Sequence, residues 1–184
     1  MNNNNQSENY ILKVVLLGNT SVGKTTLRLK YIGQSFRYNY LPTLGADFSL
    51  QSVTYGNKTI EFQIWDIGGQ TTYNLVRKNF YAGSNGSLVL YDITNQQSFD
   101  NVDFWVDEFL NYCGENQVPI VLIGNKIDLR SEEKKDIITY DQGKKLAEKI
   151  TKDKHITVSF LETSALNGIN LTKAFDIIKE NYFH

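Results

Sequence analysis

The chain has 184 residues, with 19 Lys and Arg against 20 Asp and Glu, which gives a net charge of −1. This length suits one domain with a sizeable core, and the balanced charge argues against a nucleic-acid-binding surface. The single cysteine, Cys113, cannot form an internal disulfide, which fits a reducing, cytoplasmic compartment.

Membrane attachment has no support in the chain as given. No apolar run approaches membrane-spanning length, and no signal peptide precedes the domain. The N-myristoylation pattern and a C-terminal prenylation cysteine are both absent. We therefore expect no stable membrane anchor in this chain.

Residues 1–9 form a polar, Asn-rich stretch that we expect to be a disordered tail, followed by one domain over residues 10–184. An apolar strand, Tyr10 to Leu17, leads into GNTSVGKT, and a helix should follow to about Ile32. A strand, a glycine-bounded loop and a helix in this order predict a phosphate-binding loop.

The chemistry of this loop assigns roles to its residues. Backbone N–H groups and the helix N-terminus can surround an anion, Lys24 can reach the terminal phosphates, and the Thr25 hydroxyl can hold Mg²⁺. The candidate nucleotide-binding positions here are Gly18, Ser21, Val22, Gly23, Lys24, Thr25 and Thr26.

The rest of the chain alternates between strand and helix patterns after a loop at 33–44. Further strands are expected at Ala46 to Tyr55, Lys58 to Asp66, Leu88 to Tyr91, Pro119 to Gly124 and Thr157 to Leu161. Helices are expected at Thr71 to Tyr81 (loosely held), from a Ser98 cap to about Tyr112, from a Thr139–Gln142 capping box to about Ile150, and around Leu171, Phe175 and Ile178.

This pattern predicts an α/β fold. We expect a six-stranded, mostly parallel sheet with one antiparallel strand, in which a Gly56-Asn57 turn closes a hairpin. About five helices should cover both faces, giving three layers. The motifs follow strands, so they should meet at the carboxyl edge of the sheet, where such folds bind ligands.

Two further segments extend the phosphate site. Asp66, at a strand end, can hold Mg²⁺ through water. Gly69 can bring its backbone N–H close to a γ-phosphate, and Gln70 can orient an attacking water.

The segment Asn125-Lys126-Ile127-Asp128 selects the base. The Asp128 carboxylate can accept from two N–H groups on one edge of guanine, whereas adenine offers no such pair. The Ala165 backbone N–H could meet the guanine carbonyl oxygen. A phosphate-loop kinase or ATPase is disfavoured by this motif and by the absence of room for a lid or acceptor site.

At this point the chain resembles the Ras-like small GTPases, and among them the Rab branch. The resemblance covers about residues 10–182 and rests on GNTSVGKT, YLPTLGADF, EFQIWDIGGQ, LVLYDIT, GNKIDL and ETSAL in the family's order. It implies a phosphate-loop nucleotidase of the small-GTPase type, with Mg²⁺ and GTP or GDP as cofactors.

The resemblance also implies roles for individual residues. Thr43 would be the switch I threonine that binds Mg²⁺ and senses the γ-phosphate, Phe36 would pack against guanine, and Ser164 with Ala165 would lie at the base. Effectors would bind an aromatic triad on the switches, at the positions Phe48, Trp65 and Phe80.

The chain departs from the Rab pattern in places. Ile67-Gly68 gives an Asp-x-Gly-Gly-Gln form that resembles the Arf branch, and Thr71 stands where an acidic residue is usual. Thr20 occupies a position where Ras proteins have glycine. The chain ends without terminal cysteines, so endomembrane attachment would require a longer, lipidated native chain.

The sequence therefore predicts a Rab-like switch in membrane trafficking, with Gln70 and Lys24 in slow GTP hydrolysis stimulated by an activating protein. An effector and an exchange factor are the other implied partners. The alternative is a nucleotide-bound, non-hydrolysing interaction module.

Overall fold

A six-stranded sheet with the order β2-β3-β1-β4-β5-β6 organises the chain. The computed structural model describes residues 8–33, 45–69, 77–114, 117–131 and 137–184. The strands are β1 Glu8–Leu17, β2 Ala46–Tyr55, β3 Lys58–Ile67, β4 Gly86–Asp92, β5 Ile120–Asn125 and β6 Val158–Thr163. Only the β2–β3 pair is antiparallel among these strands, which confirms the predicted sheet.

Five α-helices pack on the sheet within the described residues. They are α1 Lys24–Tyr31, α2 Gln96–Asp100, α3 Val102–Cys113, α4 Tyr140–Lys154 and α5 Leu171–Phe183. Single 3₁₀ turns lie at Lys78–Phe80 and Ile127–Leu129. No helix in this part of the chain is long and apolar enough to cross a bilayer.

The strands divide the core into two layers because side chains alternate between the faces of a sheet. One face packs Val15, Val89 and Leu122 against α3 and α4. The other packs Leu12, Leu88 and further residues against α1 and α5, where Leu171, Phe175 and Ile178 form the predicted buried stripe of α5. The three-layer α/β prediction is therefore confirmed.

The predicted helix from Ser98 to Tyr112 was wrong in its start and its continuity. Asn95 is the N-cap, because its side chain accepts from the Ser98 N–H at 3.0 Å, whereas the Ser98 hydroxyl accepts from the Asp92 N–H at 3.0 Å. The helix is divided at Asn101, whose ψ is near zero, into α2 and α3.

Other element boundaries also differ from the prediction. β1 begins at Glu8, so the last two residues of the expected disordered tail belong to this strand, while residues 1–7 lie outside the described residues. The Thr139–Gln142 capping box is present, and α4 continues to Lys154, beyond the expected end. Of the segment expected to form a loose helix, 71–76 lies outside the described residues.

Candidate functional site: a nucleotide-binding edge

The carboxyl ends of the parallel strands bring the sequence motifs together. In the ladder of β4, β5 and β6, Asp92 pairs with Asn125, and Asn125 pairs with Thr163. On the other side of β4, β1 pairs Leu16 with Asp66 of β3 and then leads directly into the phosphate-binding loop. The phosphate loop (18–25), the predicted metal ligand Asp66 and the two predicted base segments (125–128 and 162–165) therefore share one sheet edge. Open α/β folds bind ligands at this edge.

The loop before α1 has a backbone that only a small residue allows. Gly23 is the N-cap of α1 with φ 105°, and a Cβ built there would lie 2.3 Å from the amide nitrogen of Asn125. Ser21 also has a positive φ of 67°. A backbone with positive φ values directs successive N–H groups to one side of the loop. Because α1 begins at Lys24, the Thr25 and Thr26 amides lie at the helix N-terminus, which favours an anion.

Lys24 lies folded under this loop. Its ammonium group donates to the carbonyl oxygens of Gly18 at 2.7 Å and Asn19 at 2.8 Å. Burial, partly offset by the nearby Asp66 carboxylate, lowers the pKa of Lys24 to about 8. The Lys24 ammonium group is therefore poorly hydrated and is bonded to neutral carbonyl oxygens. A bound phosphate would supply a negative charge to pair with it.

A hydroxyl and a carboxylate that suit magnesium meet beside Lys24. The Thr25 hydroxyl donates to Oδ2 of Asp66, whose side chain is fully buried at the end of β3. Burial raises the pKa of Asp66, while its hydrogen bond from Thr25 and the charges of Lys24 and Arg28 oppose that rise.

Hard oxygen donors of this kind fit Mg²⁺, which is usually bound by one or two protein groups together with substrate phosphates. No group of three or more His, Cys, Asp or Glu side chains in the described part of the chain could hold a metal alone. The donor set therefore fits a magnesium ion shared with a nucleotide.

Gly69 approaches the phosphate-binding loop closely. A Cβ at this position would lie 2.6 Å from both the Gly18 carbonyl oxygen and the Thr20 backbone nitrogen. Any larger residue would push the two segments apart. The backbone that follows β3 is thus held directly against the loop that would bind phosphates.

Asn125 connects three segments through one buried side chain. Its Nδ2 donates to the Val22 carbonyl at 2.8 Å, and its Oδ1 accepts from the Thr163 hydroxyl at 2.9 Å and the Ala165 N–H at 3.0 Å. Because all these groups are buried, loss of the amide would leave several of them without partners. Asn125 therefore sets the position of the base segments relative to the phosphate loop.

The carboxylate that the sequence predicts to select the base is exposed and is held from one side. Asp128 lies in the 3₁₀ turn after β5, and its Oδ1 accepts from the Ser164 hydroxyl. Lys126, with φ 71°, forms an ion pair with Asp92 at 2.6 Å. The Ala165 N–H already donates to Asn125, so a contact with guanine requires this N–H to be shared or exchanged.

An ion pair not expected from the sequence fastens the two base segments. Arg130 donates to both carboxylate oxygens of Glu162, at 2.8 and 2.6 Å, and this hydrogen bonding raises the pKa of Arg130. Bidentate pairing gives a defined geometry as well as attraction. The turn after β5 is therefore joined to the end of β6.

A second unexpected contact network starts at Asn19, inside the phosphate loop. Its Oδ1 accepts from the Trp105 indole N–H at 2.8 Å and from the Asn101 amide at 3.3 Å. The guanidinium of Arg77 lies over the Trp105 ring, 4.6 Å from its centroid, and donates to both oxygens of Glu108. α3 therefore contacts both the phosphate loop and the residue that follows the undescribed segment 70–76.

The three aromatic residues proposed for effector binding are in contact. The Phe48 and Trp65 rings stack with centroids 5.3 Å apart, and Trp65 lies 5.4 Å from Phe80. Phe48 is 51% exposed, and Leu50 is exposed on the same face of β2. The three rings are thus in continuous contact, with Phe48 exposed and with Trp65 and Phe80 partly buried against the core.

The structure brings together all but three of the predicted site residues. Gly18, Ser21, Val22, Gly23, Lys24, Thr25, Thr26, Asp66, Gly69, Asn125, Lys126, Asp128, Ser164 and Ala165 lie along the same edge. Phe36, Thr43 and Gln70 lie outside the described residues, so their roles remain predictions.

Comparisons with known proteins agree with this geometry. The sequence model of the Ras family matches residues 13–183. The chain is 39% identical over 171 residues to Ras-related protein RIC1 of Oryza sativa subsp. japonica, covering 93% of this chain and 80% of that protein.

Two relatives from other organisms give the same result. Ras-related protein Rab-3 of Caenorhabditis elegans is 36% identical over 175 residues, covering 95% of this chain and 75% of that protein. GTP-binding protein YPT1 of Saccharomyces cerevisiae is 35% identical over 171 residues, with coverages of 93% and 78%. With its phosphate loop, metal-site carboxylate and base segments arranged on one sheet edge, the chain belongs to the Ras family of small GTPases and to its Rab-like branch.

Proposed function

We propose that this protein is a Rab-like switch that binds GTP and GDP with Mg²⁺ and hydrolyses GTP slowly. In the GTP state it presents ordered switch segments to effectors. It acts in membrane traffic, on the cytoplasmic side of endomembranes. The observation that carries the proposal is the Asn125 side chain, which joins the phosphate loop to the base segments. A site assembled in this way holds phosphates and base at a fixed separation.

Guanine selectivity rests on Asp128 in this proposal. Its carboxylate is oriented by the Ser164 hydroxyl and faces solvent, so its remaining lone pairs can accept from the two N–H groups of guanine. Adenine would leave this carboxylate unpaired, which costs far more than a lost apolar contact. The Ala165 N–H would turn from Asn125 toward the guanine carbonyl oxygen, and Phe36 would pack against the base.

The chain's own groups hold the phosphates and the metal. The Ser21, Val22, Gly23 and Thr26 amides would donate to phosphate oxygens, together with the ammonium group of Lys24. The Thr25 and Thr43 hydroxyls would coordinate Mg²⁺ directly, with Asp66 acting through water. When bound, Mg²⁺ neutralises charge on the β- and γ-phosphate oxygens.

Hydrolysis would be slow because the chain supplies a glutamine and a lysine for the reaction but no arginine at the γ-phosphate. Gln70 would orient the attacking water, and Lys24 would stabilise charge on the phosphate oxygens. Some relatives carry an arginine three residues before the switch I threonine, whereas Tyr40 stands there in this chain and the nearest arginine is Arg37. An activating protein would supply the missing arginine, which contributes a factor of about 10³–10⁵.

Switching would couple the γ-phosphate to the effector surface. Thr43 and the Gly69 N–H would contact the γ-phosphate in the GTP state and lose it on hydrolysis. Gly69 lies against the phosphate loop, only a few residues from Trp65, so a change there can reach the aromatic triad. We expect Phe48→Ala to abolish effector binding and leave nucleotide affinity unchanged.

Hydrogen exchange tests the switch. With GTP bound, peptides covering residues 36–44 and 70–76 should exchange more slowly than with GDP, and Thr43→Ala should remove the difference while sparing GDP binding. Equal protection in both nucleotide states would contradict a switch.

One observation favours the non-hydrolysing alternative. The Thr20 backbone lies against Gly69, and Gln70 follows Gly69 in the sequence. In this alternative, the Thr20 side chain would crowd Gln70, the residue proposed to position the water. Single-turnover hydrolysis by the wild type, Gln70→Leu and Thr20→Gly separates the two functions. Slow turnover that Gln70→Leu abolishes and Thr20→Gly accelerates supports a GTPase, whereas no turnover with or without an activating protein supports the alternative.

A further inference from the structure

Two carboxylates face each other across the β2–β3 hairpin beside the magnesium site. Asp47 pairs directly with Asp66 in the antiparallel register, so both side chains lie on the α1 side of the sheet. Like charges placed directly opposite in a ladder destabilise it. The Asp66 carboxylate is fully buried, which increases that cost unless a cation lies nearby.

Two cations of α1 lie near Asp66, Lys24 and Arg28, and Arg28 is the one that contacts both carboxylates. Its guanidinium donates to Oδ2 of Asp47 and, at 2.5 Å, to the hydroxyl of Ser49, while its Nε lies 3.9 Å from Oδ2 of Asp66. The side chain is only 5% exposed, and its Nε makes no hydrogen bond to any described residue.

Helix geometry explains why this arginine reaches the metal-site carboxylate. Arg28 follows Thr25 by three residues and Lys24 by four, so all three side chains lie on one face of α1. Thr25 and Arg28 thus approach the same oxygen of Asp66 from consecutive turns. A magnesium ion bound beside Thr25 would share that oxygen's negative charge with a guanidinium.

We propose that Arg28 is a positioning residue that lowers the affinity of the nucleotide site for Mg²⁺ and neutralises Asp66 when the metal leaves. The guanidinium repels a second cation at Asp66, and among the described residues Asp47 is the other carboxylate that pairs with it. With Arg28 present, loss of Mg²⁺ exposes less negative charge to the phosphates. Nucleotide retention in this protein therefore depends less on Mg²⁺ than it would without the arginine.

This inference rests on the proposed magnesium-dependent nucleotide site. It differs from a purely structural role, in which Arg28 only fastens β2 to α1. A structural fastener predicts that its loss loosens the site and weakens Mg²⁺ binding. Repulsion by charge predicts the opposite sign, so the direction of the change decides between them.

The test measures the Mg²⁺ concentration that half-saturates the slowing of fluorescent GDP release, together with calorimetric Mg²⁺ titration of the GDP-bound protein. We expect Arg28→Leu to tighten Mg²⁺ binding about tenfold and to make nucleotide release in chelator correspondingly faster than in the wild type. Arg28→Lys retains the charge and should stay close to the wild type. Melting curves with GDP report whether each variant is folded.

Asp47→Asn provides an independent variant with an opposite expectation. Its side chain is 59% exposed, so the substitution leaves the fold intact while releasing the guanidinium toward Asp66. Mg²⁺ binding should weaken, and the same substitution should have a smaller effect in the Arg28→Leu background. If Arg28→Leu does not fold, Arg28→Gln carries the test, because it removes the charge but keeps amide donors for Asp47 and Ser49, and it should also tighten Mg²⁺ binding.

The outcomes distinguish a failure of this inference from a failure of the proposed function on which it rests. Unchanged or weaker Mg²⁺ binding in folded Arg28→Leu, or unchanged binding in Asp47→Asn, would overturn the role of Arg28. If GDP release from the wild type did not respond to Mg²⁺ at all, the proposed magnesium site itself would fail.

Discussion

We expect nucleotide affinity to fall as the pH rises from about 7.5 to about 9, because Lys24 loses its proton in the nucleotide-free protein over this range. Burial lowers the pKa of Lys24 to about 8, whereas bound phosphates would keep the ammonium group charged. Binding must therefore include proton uptake that rises from about half a proton at pH 8 toward one proton at higher pH.

The magnitude follows from the proton balance. With a pKa of about 8, the protonated fraction of Lys24 falls from about three quarters to about one tenth across this range, so GDP affinity should fall about eightfold.

The stability of the nucleotide-free protein should change in the opposite direction. Between pH 8 and 10.5 the unfolded chain binds more protons at Lys24 than the folded chain, so stability should rise through this window by up to about 3 kcal/mol.

Calorimetry in two buffers of different ionisation enthalpy measures both the affinity and the protons taken up. We expect about 0.9 protons per GDP at pH 9 and few at pH 7. Guanine itself stays protonated at N1 over most of this range, which limits its contribution. A flat affinity with no proton uptake would show that Lys24 is not a desolvated cation.

Three further substitutions test other parts of the site. Asp128→Asn replaces an acceptor by a donor, so GTP affinity should collapse while xanthosine triphosphate binding improves; unchanged GTP affinity in competition binding would refute the base assignment. Asn19→Ala leaves the buried Trp105 N–H without its acceptor, so the free energy of unfolding measured in denaturant should fall by about 1–3 kcal/mol and tryptophan emission should shift. Asn19→Asp keeps an acceptor, so the emission should not shift. Glu108→Ala removes an ion-pair partner of the buried Arg77 and the acceptor of the buried Tyr81 hydroxyl, so the free energy of unfolding should fall by about 3–5 kcal/mol; a loss below about 1 kcal/mol would contradict this.

The architecture of the sheet could be predicted because its strand patterns are local. Near-continuous apolar runs such as Tyr10 to Leu17 indicate strands buried on both faces, and alternating segments around Gly56-Asn57 indicate a hairpin. The structure confirms the strands to within about two residues at every end. The convergence of the phosphate, metal and base segments then follows from the parallel order of the strands.

The start of the helix after β4 could not be predicted from its capping residues alone. Ser98 and Asn95 are both good N-cap residues, and the choice depends on a third group. The Asp92 N–H at the end of β4 donates to the Ser98 hydroxyl, which leaves Asn95 to cap α2. Tertiary contact therefore decides between two local patterns of similar strength.

The supporting contacts of the site are long-range and leave little signal in the sequence. A charged residue such as Arg28 in a short helix is usually solvent-exposed, and its burial follows only from the β2–β3 register that places Asp47 opposite Asp66. The Asn19–Trp105 contact likewise joins residues 86 positions apart. A polar Asn inside the phosphate loop is the one sequence feature that could have suggested a partner.

Identifying the nucleotide carried by the natively purified protein tests the central claim most directly. Protein isolated in Mg²⁺-containing buffer, denatured and resolved by ion-exchange chromatography should release close to one guanine nucleotide per chain, mostly GDP. The Asp128→Asn variant, purified in the same way, should release little. An adenine nucleotide in stoichiometric amount, or wild-type protein that neither carries nor binds added GDP, would contradict the account.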